Sequence, residues 1–187
     1  MAATAFDQFV CVCGFGGGIM NGGWRLAEAS DIPFVYELVT KVDPRWWRFS
    51  RGGLEPSVLL STAQGISAGV IVVDSVNNPV ACAILADAGT MGTGMFEYYA
   101  LPNPQAEALA RRFAPELLAA AFAGAPIRRL YYERFENDAE VFGELSAYFE
   151  VEVTYPEFAM IDGRYESRTT SVLTLERFTE SQLGAAQ

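Results

Sequence analysis

Histidine is absent from this 187-residue sequence, which excludes His-based catalytic triads and histidine-ligated metal sites. The three cysteines lack the paired spacing of a zinc site. Cys82 lies in an apolar run and is expected to be a small core residue, whereas Cys11 and Cys13 form an isolated Cys-x-Cys pair without an assigned role. We therefore expect no metal site.

Long apolar runs are also absent. No run of about eighteen apolar residues is free of polar or charged side chains, so no membrane span is expected. The N-terminal apolar stretch has no basic residues before it and carries Asp7 early, so no signal peptide is expected. These features predict a cytoplasmic protein, and incorporation into a larger particle is left open.

Basic residues are scarce. Lys41 is the only lysine, and 13 Lys and Arg residues stand against 23 Asp and Glu residues, for a net charge of −10. Such a chain repels phosphate backbones, so nucleic acid is not expected as a partner. An anionic ligand would need local help from a helix N-terminus or from an arginine.

The composition is otherwise that of a packed domain, with 51% hydrophobic and 19% charged residues. We expect a domain over residues 24–180 and a C-terminal tail over 181–187. The apolar, glycine-rich arm over residues 1–23 is expected to lie outside the core, either mobile or docked on a partner.

Hydrophobic periodicity and turn residues predict a mixed α/β fold. Helices are predicted from Ser30–Pro33 to Asp43-Pro44 and over 59–64, 105–123 and 137–149. Strands are predicted over 24–27, 69–73, 79–86, 95–101, 127–132, 150–155, 158–162 and 171–178. This order predicts a mostly antiparallel sheet with helices on both faces. Strands 95–101 and 127–132 should be parallel neighbours joined by the helix over 105–123.

Over roughly residues 24–178, and most clearly in its second half, the chain resembles the GNAT superfamily of acetyl-CoA-dependent N-acyltransferases. Residues 105–110, Gln-Ala-Glu-Ala-Leu-Ala, follow the fourth strand where that family carries Q/R-x-x-G-x-G/A. The spacing of Phe122, Asn137 and Phe149 matches that of characteristic residues in its ribosomal-protein N-acetyltransferase-like branch. Residues 161–166 are similar to the closing hairpin of that branch. The element order predicted above is also that of the superfamily.

The resemblance implies that the protein binds acetyl-CoA or another acyl-CoA. The implied cofactor contacts are Gln105, Ala106, Ala108, Ala110, Arg111 and Asn137. In the family, backbone N–H groups at this helix start hold the pyrophosphate, and the fourth and fifth strands splay apart at their C-terminal ends to admit the pantetheine arm. Ala108 replaces the central glycine of the motif, so its methyl group is expected to impair close approach of the ligand without excluding it.

The resemblance also implies the catalytic residues. Glu97 on the fourth strand is the candidate general base, and a solvated or hydrogen-bonded strand glutamate is the alternative. The family's usual tyrosine acid is replaced by Glu144, so Tyr148 is the candidate acid, with a packing role as the alternative.

Two functions follow from these features. The first is transfer of an acetyl or other acyl group to a small-molecule or peptide primary amine. The second is a non-catalytic GNAT-fold subunit of a larger assembly, such as a virus particle or a biosynthetic complex. Trp46 and Trp47, flanked by arginines, would wall an acceptor pocket in the first case and anchor a protein partner in the second.

Overall fold

The computed structural model describes residues 22–42, 66–88, 90–136, 138, 140–161 and 163–184. Several sequence predictions lie outside these residues and stay predictions. They concern most of the N-terminal arm with Cys11 and Cys13, the Trp46-Trp47 segment and the short helix over 59–64.

A seven-stranded sheet forms the centre of the described chain. Its strands are β1 (Gly23–Leu26), β2 (Ile66–Val73), β3 (Pro79–Ala86), β4 (Thr93–Ala100), β5 (Arg129–Phe135), β6 (Glu150–Ile161) and β7 (Arg164–Thr174). They lie in the order β1-β2-β3-β4-β5-β7-β6. Neighbours are antiparallel except β4 and β5, which are parallel. The predicted mixed sheet with one parallel crossover is confirmed.

Three α-helices flank the described sheet: α1 (Ile32–Val42), α2 (Pro104–Gly124) and α3 (Leu175–Gly184). Helix α1 packs Leu38 and Val39 against Ile71 and Cys82 on one face. Helices α2 and α3 cover the other face, which holds the larger apolar cluster. We call these the α1 face and the α2 face. None of the helices in the described ranges is long and apolar enough to cross a membrane.

The helix starts follow from local sequence. Before α1, the Glu28 N–H donates to the Asp31 carboxylate at 2.8 Å, which opens a 3-10 turn over Ala29–Asp31. The Arg25 guanidinium makes two hydrogen bonds to Asp31, and they hold the pKa of that carboxyl below its usual value. At α2, Asn103 is the N-cap and Pro104 occupies the first helical position, where a missing N–H costs nothing.

The predicted helix over 137–149 is wrong. In the described part of this segment only Gly143–Tyr148 is helical, as a 3-10 helix. Two carboxylates bond the backbone instead: Asp138 accepts from the Phe135 N–H at 2.7 Å, and Glu140 accepts from the Phe142 N–H at 2.8 Å. Gly143, the first residue of the 3-10 helix, has a φ of 57°, so a continuous right-handed helix cannot run through it from the preceding residues.

The predicted C-terminal strands also need correction. The two strands over 150–155 and 158–162 are one strand, β6, with an irregular register between Tyr155 and Ala159. The last strand ends at Thr174, and helix α3 follows where a strand was predicted as far as Phe178. The Thr174 hydroxyl accepts from the Arg177 N–H at 3.2 Å, which caps this helix start. Phe178 then stacks on Phe122 of α2 at 5.4 Å between ring centroids.

Gly22 lies where a side chain does not fit. It has a φ of +81°, and a Cβ added there would lie 2.7 Å from the Val73 carbonyl oxygen. Gly22→Ala should therefore lower the free energy of unfolding by about 1–3 kcal/mol, because it combines a left-handed backbone with a main-chain clash. Gly23→Ala is the matched control, since an added Cβ there meets nothing within 4 Å. Urea unfolding measures both variants, and equal stabilities would contradict this placement of Gly22.

Candidate active site

β4 and β5 lie side by side over only the first part of their lengths. Their parallel pairing runs from Thr93 opposite Arg129 to Met95 opposite Tyr131. Beyond these residues, β4 stays paired with β3 and β5 stays paired with β7. The two strands therefore diverge, and residues 96–100 and 132–135 bound a gap that we call the wedge. This is the splayed arrangement expected from the family resemblance.

Glu97 stands on the wedge wall of β4, two residues beyond Met95, the last residue of β4 that pairs with β5. Alternation along β4 puts Glu97 and Tyr99 on the α1 face, and Leu101 just after the strand continues the pattern. Tyr99 and Leu101 pack against the buried cluster that contains Leu38 and Val39 of α1. The Tyr99 hydroxyl donates to Glu97 Oε2 at 2.8 Å. Sequence reasoning did not assign Tyr99 a role. The spacing of Glu97 and Tyr99, two residues apart in one strand, was the available signal.

Cys82 lies next to this pair, on the neighbouring strand β3. It is directly opposite Tyr99 in the β3–β4 register and is 1% exposed. Burial, with a smaller effect of the Glu97 charge, raises the pKa of the Cys82 thiol. The thiol is therefore protonated at neutral pH and serves as a core residue.

Aromatic rings line the α2 face of the wedge. The Phe142 ring lies 6.2 Å from Phe96 and 6.0 Å from Tyr98 of β4, and 4.8 Å from Tyr132 of β5, between centroids. Phe149 contacts Phe142 at 4.7 Å. The Tyr98 hydroxyl donates to the Ala110 carbonyl oxygen at 2.8 Å, so β4 and α2 are tied together. Burial raises the pKa of Tyr98, which keeps that hydroxyl a donor.

The start of α2 follows directly on the open end of β4. Of the predicted cofactor contacts here, Gln105 and Ala108 are exposed, whereas Ala106 and Ala110 are 1% and 0% exposed and pack into the core. The Ala106 N–H donates to the Asn103 side chain at 2.9 Å. An anion at this helix start would therefore compete with Asn103 for that N–H group.

Arg111 lies one turn further along α2. Its guanidinium donates to the Glu140 carbonyl oxygen at 3.3 Å and lies 3.7 Å from the Glu107 carboxylate. Its aliphatic stem passes Gly143, where an added Cβ would be 3.6 Å from Arg111 Cδ. Arg111 thus connects α2 to the segment that precedes the 3-10 helix. It also partly offsets the Glu107 charge near the helix start.

The remaining predicted site residues lie elsewhere. Tyr148 ends the 3-10 helix, is half-buried, and packs against the cluster on the α2 face. Glu97 and Tyr148 are therefore on opposite faces of the sheet. Glu144 is exposed. Asn137 lies outside the described residues.

A second carboxylate borders the wedge on the α1 face, and sequence reasoning missed it. Glu133 of β5 accepts from the Thr170 hydroxyl at 3.2 Å and lies 3.4 Å from the Arg168 guanidinium. The Arg168 guanidinium also stacks over the Phe158 ring at 4.0 Å. No local pattern marks this group, because Glu133 of β5 is far in sequence from its partners on the β6–β7 hairpin.

No family model matches the sequence, and no curated protein matches it significantly. Solved structures do resemble it. Spermidine/spermine N-acetyltransferase SpeG from Vibrio cholerae has a TM-score of 0.65 at 16% identity, over 87% of this chain and 98% of that one. A protein assigned as a phosphinothricin N-acetyltransferase has a TM-score of 0.61 at 17% identity, over 82% of this chain and 98% of that one. At these identities the likeness concerns the fold.

Proposed function

We propose that this protein, which has the fold of the GNAT acetyltransferases, is an acyl-CoA-dependent N-acyltransferase that acts on a primary amine. The observation that carries the proposal is the wedge between β4 and β5, with Glu97 on its wall. A neighbour named as a spermidine/spermine N-acetyltransferase supports an amine as the acceptor. A carboxylate beside a gap between strands suits an amine that must lose a proton as it attacks.

Glu97 is the proposed general base. It takes the proton from the amine directly or through one water molecule, and such catalysis contributes roughly 10²–10⁴-fold. The hydrogen bond from Tyr99 limits the side-chain rotamers of Glu97, so the carboxylate is held in place before the substrate arrives. Tyr148 is the proposed acid that protonates the leaving thiolate, from the α2 side of the sheet.

Acyl-CoA would supply the activated thioester carbonyl that the amine attacks. The proposed contacts to its phosphates are at the start of α2, where the exposed Gln105 and Ala108 leave access to the positive end of a 21-residue helix. Ala106 and Ala110 act through packing, since their small side chains let α2 lie close to the sheet. Arg111 is the nearby cation, and Asn137 completes the proposed set.

A second candidate is a non-catalytic subunit of a larger assembly. The observation that favours it is the hydrogen bond between the Ala106 N–H and Asn103, which uses one donor that a phosphate would need. The Glu107 carboxylate in the first turn of α2 opposes an anion at the same place. In this case the N-terminal arm and Trp46-Trp47 would contact the protein partners.

Acetyl-CoA binding and thiol release separate the two candidates. For the enzyme, acetyl-CoA at a hundred times its dissociation constant should stabilise the fold by about 2.7 kcal/mol. A panel of primary amines that includes spermidine should then release free coenzyme A thiol. ATP is the control for unspecific anion binding and should give no comparable stabilisation. If acetyl-CoA neither stabilises the protein nor releases thiol with any amine, the enzyme proposal is wrong.

A further inference from the structure

The base of the wedge is closed by an aromatic ring from outside the two strands. Phe142 is 4% exposed and contacts rings on both strands, Phe96 and Tyr98 on one side and Tyr132 on the other. Phe96 and Tyr132 are the first residues of each strand beyond the last β4–β5 pair. Phe142 therefore spans the gap on the α2 face at the point where the strands begin to separate.

The ring stays there because the segment around it is fixed. The Phe142 N–H is bonded to the Glu140 carboxylate, and the Glu140 carbonyl oxygen accepts from Arg111 of α2. Gly143 then turns the chain with a φ of 57°. The Phe149 ring contacts the Phe142 ring at 4.7 Å between centroids. A helix over this segment, as the sequence predicts, would place the side chain at position 142 differently.

The two faces of the wedge differ in chemistry near its base. On the α1 face stand the carboxylates Glu97 and Glu133, and on the α2 face stand the aromatic rings around Phe142. The amine, which is polar and often charged, suits the first face. The hydrocarbon of the acyl group suits the second, because burying apolar surface against rings is favourable.

The direction of the ligand follows from the position of α2. The helix begins just after the open end of β4, so an acyl-CoA whose phosphates were held there would direct its acyl end toward the base of the wedge. A chain that extended past the thioester would approach Phe142, whose buried ring contacts both strands.

We propose that Phe142 is the residue that restricts the acyl donor to short chains of about two or three carbons. This inference rests on the proposed acyltransferase function and adds to it the class of donor. An aromatic wall rejects a longer chain sterically, and pocket discrimination by small numbers of methylene groups is commonly 10- to 200-fold.

Three variants test the proposal: Phe142→Ala, Phe142→Leu and, as the matched control, Phe149→Leu. Phe149 belongs to the same cluster and contacts Phe142 and Tyr132, but no ring contact to β4 is recorded for it in the described chain. Acetyl-CoA, butyryl-CoA and hexanoyl-CoA are compared by kcat/KM with one amine and, independently of activity, by thermal shift. Circular dichroism checks that each variant is folded.

The wild-type protein should prefer acetyl-CoA over hexanoyl-CoA by about 100-fold or more in kcat/KM. Phe142→Ala should reduce this preference at least about tenfold and should gain stabilisation by hexanoyl-CoA. The preference of Phe142→Leu for acetyl-CoA should lie between those of the wild-type protein and Phe142→Ala. This variant therefore tests the proposal even if the alanine variant does not fold. Phe149→Leu should keep the wild-type preference.

The outcomes separate this inference from the function it rests on. A wild-type protein that uses acetyl-CoA but accepts hexanoyl-CoA equally well would overturn the role of Phe142 alone. The same holds if Phe142→Leu and Phe149→Leu change the preference to the same extent. A wild-type protein that binds none of the three thioesters would overturn the acyltransferase proposal, and the inference with it.

Discussion

Glu97→Gln should lower turnover with acetyl-CoA and an amine by roughly 10²–10⁴-fold and leave acyl-CoA binding nearly unchanged. Glutamine has the same shape and its amide oxygen still accepts the hydrogen bond that Tyr99 donates at 2.8 Å. The substitution therefore removes proton transfer and keeps the local structure. Steady-state kinetics with thiol detection gives the loss in kcat, and calorimetry gives the acyl-CoA affinity.

Tyr99→Phe is the matched control for this prediction. It keeps the carboxylate and removes one hydrogen bond that helps to position it, so the loss in kcat should be about tenfold, in line with the net energy of one hydrogen bond to a charged group. If Glu97→Gln and wild-type protein turn over at the same rate, Glu97 is not the base. If the glutamine variant instead loses acyl-CoA binding, Glu97 contributes to the binding site.

Ala108→Asp should weaken acyl-CoA binding by roughly tenfold to a hundredfold without unfolding the protein. Ala108 is exposed near the start of α2, so an aspartate fits there without disturbing the core. An added negative charge at this end of the helix repels the phosphates, whereas it costs the fold little because acidic residues suit helix N-termini. Calorimetry with acetyl-CoA measures the affinity, and urea unfolding measures the stability.

Ala119→Asp gives the same change in charge on an exposed position farther along α2 and should leave the affinity unchanged within about twofold. Ala108→Gly tests the same position with a change that should favour binding. It restores the glycine of the family motif and should leave the affinity unchanged or improve it. If Ala108→Asp binds acetyl-CoA as tightly as Ala119→Asp does, the start of α2 does not hold the phosphates.

Local signals were sufficient for most of the fold. The alternation in β4 separates Phe96 and Tyr98 from Glu97 and Tyr99, and it does so whatever the partners of the strand are. The position of α2 follows from Pro104 and the long alanine-rich run after it, which favour a helix on their own. Neighbouring strands joined by such a helix are parallel because the helix returns the chain to the end of the sheet at which the first strand began.

The segment after β5 shows where local signals fail. Val141, Leu145 and Tyr148 have helical spacing, but Gly143 adopts a positive φ beside the Arg111 stem. The carboxylates of Asp138 and Glu140 accept hydrogen bonds from the backbone N–H groups of Phe135 and Phe142. The carboxylate bonds are local and the contact with Arg111 depends on where α2 lies, and the apolar periodicity of the segment indicates neither of them.

The sequence by itself determined the order of the strands as far as β5, the two faces of β4 and the start of α2, because each depends on residues that are neighbours in the chain. The tertiary structure alone decided that Phe142 closes the base of the wedge, that Glu133 meets Arg168 and Thr170, and that Asn103 uses the Ala106 N–H. The first two join side chains from separate elements. The third is local, but the choice between a cap and an open anion site depends on rotamers that a sequence pattern does not specify.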